Sequence, residues 1–207
     1  ASRGLGDVYK RQGVNGAGKT TTILMLTCLS KPTSGEVFVS GHSTASESAQ
    51  VKRIVGISPQ DTAVAGNLTV RENLRLIAGI YGFSRERTAQ RIDDMTRLFC
   101  LEEVLDSRAK TLSGGWKRKL SIAMALISEP EVLFLDEPTL GLDVLARREL
   151  WEAVRSLKGK ITIILTTHYM EEAEQLSDRI AIMVGGKIHA VGTLSELEQL
   201  TGEHGLE

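Results

Sequence analysis

Apolar residues along this chain fall into two rhythms. Short runs rich in β-branched residues, at 36–40 (EVFVS), 53–58 (RIVGIS), 132–136 (VLFLD), 160–165 (KITIIL) and 179–184 (RIAIMV), read as strands. The last run is followed by GGK and IHAV (188–191), which predicts a hairpin. Helical patterns start at Lys19, Thr69, Ser84, Gly114, near Leu145 and at Tyr169, and two starts carry a capping box, Thr69 with Glu72 and Thr193 with Glu196. Strands alternating with helices predict an α/β fold with a mostly parallel sheet, and a helix at the carboxyl end follows the hairpin. From about 67 to 128 helices follow one another with no strand between them, so this stretch reads as an inserted helical subdomain.

The two ends break the pattern. Residues 1–12 are polar and lack the apolar run that should lead into the glycine-rich loop at Gly13. Their last part, DVYKRQ (7–12), resembles the translation of a transposase-end adapter used in sequencing libraries. Native sequence is therefore expected over 13–207, with 1–12 a non-native lead-in and the amino-terminal strands missing. The final segment, 202–207, stops without a hydrophobic or capping close and is read as clipped.

Charge and cysteine content narrow the function classes. With 25 Lys and Arg against 26 Asp and Glu, the chain lacks the basic excess of a general nucleic-acid binder, so any polyanion must be held by a local site. Cys28 and Cys100 are too few for a disulfide scaffold or a four-thiolate zinc site, and both sit in apolar helical patterns. No run of about 18 apolar residues occurs, so work at a membrane would need a partner.

One local site is explicit. GVNGAGKT (13–20) fits G-x-x-x-x-G-K-[ST], a loop whose backbone N–H groups face one anion while the following helix adds its positive pole. Gly13, Asn15, Gly16, Ala17, Gly18 and Thr21 belong to this cradle. Lys19 is placed for the β and γ phosphates, and the Thr20 hydroxyl for Mg²⁺. A second site lies where the apolar run VLFL (132–135) ends in Asp136-Glu137-Pro138. Two acids at the edge of a buried sheet make poor packing but a good metal site: Asp136 would hold Mg²⁺ through water, and Glu137 would polarise an attacking water.

These residues, with LSGGWKRKLSIA (112–123), resemble the ATP-binding subunits of ABC transporters over residues 13 to about 200. The glycine pair opening the helix at 114 looks like the family's signature, in which Ser113, Gly114 and Gly115 would meet the γ-phosphate held by the opposite subunit. By the same resemblance, Gln60 in GISPQD is the Q-loop glutamine near Mg²⁺ and the attacking water. Asp143 in LGLD is the D-loop aspartate crossing to the other subunit, and His168 in TTHYMEEAE is the switch histidine on the γ-phosphate. Two features depart from the pattern: Trp116 stands where the signature usually has Gln, and the aromatic residue that stacks on adenine is missing, a role Tyr9 should not be given. Lys117, Arg118 and Lys119 read as a solvated helix face at least as readily as residues with a direct nucleotide role.

The segments 67–86 and 179–193 look most like bacterial ABC-2 type exporters. The resemblance implies a P-loop NTPase that binds ATP and Mg²⁺, pairs with a second ATPase subunit, and powers export through a separate integral membrane permease at the cytoplasmic face of the membrane. It implies no nucleic-acid partner. Leu74, Leu76, Ile77, Ile80 and Tyr81 are expected mainly as subdomain core. Two alternatives are a non-transport ABC ATPase for assembly or repair, and an inactive fragment. The stretch from Thr20 to Leu112 holds no sustained heptads of the kind repair proteins carry there.

Overall fold

Strand β5 (Val132–Asp136) is buried at every position, so both of its faces need a cover. Val132 and Phe134 pack with Ile23, Val39, Val51 and Val55 on one side. Leu133 and Leu135 pack on the other with Leu120, Ile122, Leu150, Val154, Ile163 and Leu165. Burying a side chain of this size contributes about 1.5–3 kcal/mol, so this two-sided strand anchors both halves of the core. The computed structural model describes residues 8–12 and 17–201.

The sheet runs β4 (Val55–Ser58), β5, β6 (Thr162–Thr167), β1 (Val8–Gln12), β7 (Arg179–Val184), β8 (Lys187–Gly192). The first five are mutually parallel, and β7 and β8 form the predicted antiparallel hairpin. Helices α1 (Lys19–Leu26) and α2 (Ser48–Ile54) lie over the face of Val132 and Phe134. The opposite face carries α5 (Gly114–Leu126) and α6 (Val144–Ser156), joined to the same core by α3 (Val70–Ile80) and α4 (Arg85–Phe99). After β6 come α7 (Met170–Leu176) and, beyond β8, α8 (Leu194–Thr201).

The predicted helix starts are found in place. Thr69 and Glu72 close a full capping box, Ser84 caps Arg87 N–H at 3.2 Å, and Thr193 with Glu196 repeats the box ahead of α8. Between α3 and α5 only helices and two short 3₁₀ turns occur.

Several details differ from the expectations. Val8–Gln12, read as lead-in, pairs as a central strand with β6 on one side and β7 on the other. The run 36–40 shrinks to Phe38–Val39, paired with His42–Ser43 in a separate two-stranded ribbon, and residues 53–54 end helix α2 rather than begin β4. Cys28 and Cys100 do not sit within helices: both have left-handed backbones, at φ 58° and 52°, where helices end, and Cys100 is exposed. Leu76, Ile80 and Tyr81 are exposed, unlike Leu74, because they point away from the shared core on α3.

Candidate active site

Parallel strands deliver their carboxyl ends to one edge of the sheet, and the loops leaving that edge carry the predicted chemistry. Residues 17–21 follow β1, Gln60 follows β4, Glu137 follows β5 and His168 follows β6. Gly13, Asn15 and Gly16 lie outside the described residues. Gly18 stands at the mouth of α1 with φ 91°, a conformation that favours glycine, and a Cβ there would come within 3.3 Å of Met183 Cε on β7. The hairpin tip secures the loop through Gly186 N–H donating to Ala17 O at 3.0 Å.

Lys19 is buried, and its Nζ meets Glu137 Oε1 at 2.9 Å. The other oxygen, Glu137 Oε2, lies 2.9 Å from His168 Nδ1 and also accepts from the His168 N–H at 3.3 Å. Glu137 itself has φ 48°, a left-handed backbone that costs a non-glycine residue of order 1–3 kcal/mol. The surroundings enforce it: its N–H donates to both the carbonyl and the hydroxyl of Thr166, each at 3.1 Å. Thr166 Oγ1 donates in turn to Asp136 Oδ1, so one threonine sets the geometry of both acids.

Lys19, Thr20, Thr21, Gln60 and Glu137 line one cavity of about 400 Å³ that begins at Ala17. Asp136 is buried one residue further back, behind Thr166, and does not line it. The oxygens on offer, a hydroxyl, an amide and a recessed carboxylate, are the hard donors that suit Mg²⁺. Among the described residues no cluster of three or more His, Cys, Asp or Glu could hold a metal.

Ser113, Gly114, Gly115 and Asp143 are not brought into this cavity. They open α5 and α6 side by side, where Ser113, Gly115, Asp143 and Glu149 line a separate hollow of about 230 Å³. Ser113 caps Trp116 N–H at 3.4 Å, and Asp143 caps Ala146 N–H at 2.9 Å. Trp116 lines the same hollow, with Lys119 Nζ 4.5 Å over its ring and bonded to Glu149 at 2.7 Å.

Reading 117–119 as a solvated face is corrected here, since Arg118 and Lys119 are both buried. Arg118 turns inward: Nη1 donates to Pro59 O at 2.6 Å and Nη2 to Gln60 O, which ties the loop of Gln60 to α5. Burial lowers its pKa, countered by the carboxylates of Asp136, Asp61 and Glu172. A single basic residue within a run of three gave no sign of which one turns in. Glu172, fully buried, was also missed; it sits in an acidic triplet that reads as surface.

Comparison with known proteins places the chain in a family. A family model described as ABC transporter matches residues 5–140. The human phospholipid-transporting ATPase ABCA3 is 43% identical over 197 residues, which cover 95% of this chain and 12% of that protein. The daunorubicin resistance ATP-binding protein DrrA3 of Streptomyces coeruleorubidus is 42% identical over 198 residues, covering 95% of this chain and 63% of that one. The chain thus spans less than two thirds of the length of either relative. A dimeric ATP-binding cassette in a post-hydrolysis state, bound to ADP and Pi, superposes with a TM-score of 0.83 at 26% identity, over 94% of this chain and 88% of that one. The chain belongs to the ABC transporter family and has the fold of that family's ATPase domain.

Proposed function

We propose that this chain binds and hydrolyses Mg-ATP and that the cycle drives export of an amphipathic molecule, a drug or a lipid, through a membrane permease on a separate chain. The observation that carries the reading is the Lys19–Glu137–His168 constellation, of which Lys19 and Glu137 line the cavity: a cation for phosphate, a carboxylate for water and an imidazole on that carboxylate. Phosphate oxygens would compete with Glu137 for the Lys19 ammonium. Binding therefore frees Glu137 Oε1 to accept a proton from a water in line with the γ-phosphate. His168 keeps Oε2 engaged, which fixes the carboxylate plane. Thr20, Gln60 and Asp136 would hold Mg²⁺, which supplies charge neutralisation on the phosphates.

The second hollow supplies the other half. Ser113, Gly114 and Gly115 present the N-terminus of α5, and the ATP they suit is one held by a second subunit across from Asp143. The dimeric relative bound to ADP and Pi supports this arrangement. Relatives named for phospholipid transport and daunorubicin resistance support export. No helix among the described residues is long and apolar enough to cross a membrane. The exposed Leu76, Ile80 and Tyr81, beside a groove lined by Ile77, Tyr81 and Met124, offer the permease an apolar seat at the cytoplasmic face of the membrane.

The test is a titration with Mg-ATP by calorimetry together with phosphate release from the purified chain. Saturable binding with slow turnover, raised by adding a cognate permease, is expected. No binding at millimolar ATP would end the proposal.

A further inference from the structure

Helices α6 and α7 are laced together along one line. Arg147, Trp151, Arg155 and Lys158 recur three or four residues apart and share one face of α6 and its exit. Tyr169, Glu172, Gln175 and Asp178 recur at three-residue steps along α7 and its flanks. Each of the first set meets its counterpart in the second. The Arg147 guanidinium lies 4.7 Å over the Tyr169 ring, and Trp151 Nε1 donates to Glu172 Oε1 at 3.2 Å. Arg155 Nη2 donates to Gln175 Oε1, and Lys158 Nζ pairs with Asp178 at 2.9 Å. The line begins at the site. Arg147 N–H donates to Asp143 O at 3.0 Å in the opening turn of α6, and Tyr169 follows His168 directly.

The Tyr169 ring also meets the His168 ring, with centroids 4.1 Å apart and planes tilted by 39°. His168 needs that second hold. Its side chain is 36% exposed, and the 2.9 Å contact of Nδ1 with Glu137 Oε2 fixes one point of the ring, about which the imidazole is otherwise free to swing. Tyr169 supplies a wall beside it, and Arg147 fixes the wall. Arg147 Nε is buried with no hydrogen-bond partner among the described residues, so the guanidinium gives up water for the ring, the setting in which a cation–π contact is strongest. We propose that Tyr169 and Arg147 are positioning residues: Arg147 pins the Tyr169 ring to α6, and that ring holds the His168 imidazole against Glu137. This rests on the hydrolytic reading of the site and deepens it. It also ties His168 to the helix that Asp143 opens.

The experiment measures phosphate release against ATP concentration in the full 207-residue chain for wild type, Tyr169→Leu, Tyr169→Phe, Arg147→Met and Lys158→Met. The His168 ring C–H signals, assigned by their loss in His168→Gln, are followed by NMR. Tyr169→Leu should lower kcat about tenfold with KM within about threefold, since the defect lies in the geometry of the reacting groups. Tyr169→Phe keeps the ring and should keep at least about a third of kcat. Arg147→Met should lower kcat about fivefold. Added to Tyr169→Leu it should cost at most about a further twofold, because the ring it places is already gone. Lys158→Met breaks the farthest ion pair of the line and should leave kcat within about twofold. The His168 signals should move in Tyr169→Leu and Arg147→Met and stay in Lys158→Met. Full kcat in Arg147→Met, a loss confined to KM, losses that multiply in the double variant, or an equal loss in Lys158→Met overturns the proposal. Should Tyr169→Leu fail to fold, Arg147→Met decides: the fall in kcat supports the hold on His168, and full activity overturns it. A wild-type chain without ATP turnover sinks the hydrolytic reading instead. The NMR arm then decides the positioning role, and unchanged His168 signals in Arg147→Met overturn it.

Discussion

Two regions of this molecule carry the residues proposed to meet phosphate, and they are built in opposite ways. At the carboxyl edge of the sheet, Lys19, Asp136, Glu137 and Thr166 are buried and bonded to one another or to His168. At the openings of α5 and α6, Ser113, Gly114 and Asp143 are exposed, and the two side chains bond only to the next turn of their own helices. The first region is finished within the chain. The second is a pair of prepared helix ends facing outward, which makes sense as half of a site that another subunit completes.

Changes in the two regions should therefore separate chemistry from assembly. The largest effect belongs to Glu137→Gln, which keeps the side chain's shape but removes the base. Phosphate release should fall roughly 1000-fold while ATP affinity stays within about threefold, and turnover near wild type would remove Glu137 from its role. Lys19→Ala deletes the phosphate cation and leaves Glu137 buried without its ion pair. ATP affinity by equilibrium titration should weaken roughly a hundredfold, and wild-type affinity would contradict the assignment. Ser113→Ala touches only the outward half-site. A single chain should bind ATP within about twofold of wild type, yet turnover should drop roughly tenfold, and a loss of binding in the isolated chain would erase the distinction between the regions.

Arg118→Met cuts the link between them, leaving Pro59 O and Gln60 O without their donor. A loss of about 1–3 kcal/mol is expected, seen as a melting point lower by a few degrees, with a turnover loss smaller than that of Ser113→Ala. The smallest effect concerns Glu172, whose pKa burial raises despite the hydrogen bond from Trp151. From the ordinary glutamate range upward, the folded chain retains a proton that the unfolded chain has released, so this group costs stability as pH rises. Urea midpoints at about pH 5 and pH 7 should show wild type losing ground to Glu172→Gln at the higher pH, and the opposite trend would contradict the raised value.

The parts legible in the sequence are those where one residue type has one use. Apolar 132–135 ending in two acids marked the strand and the site together, and the capping boxes at Thr69 and Thr193 placed two helix starts to the residue. Contacts that depend on a third dimension were not legible. The strand Val8–Gln12 carries no apolar signal, because what defines it is backbone pairing to a strand on either side. Arg118 faces inward by its place on α5 against β4, where the helix packs so close that a Cβ on Gly56 would sit 2.3 Å from Ala125 O. The motif order named Glu137 and His168, but not the left-handed turn, nor the two hydrogen bonds its N–H donates to Thr166, that aim the acid at Lys19.

The central claim is that one chain holds a finished catalytic half and an outward-facing half. Sedimentation of the Glu137→Gln chain, with and without saturating Mg-ATP, tests it most directly. The account predicts a monomer without nucleotide and a dimer with ATP, reverting to monomer when Ser113→Ala is added. A chain that binds ATP and stays monomeric, or whose pairing ignores both ATP and Ser113, would contradict it.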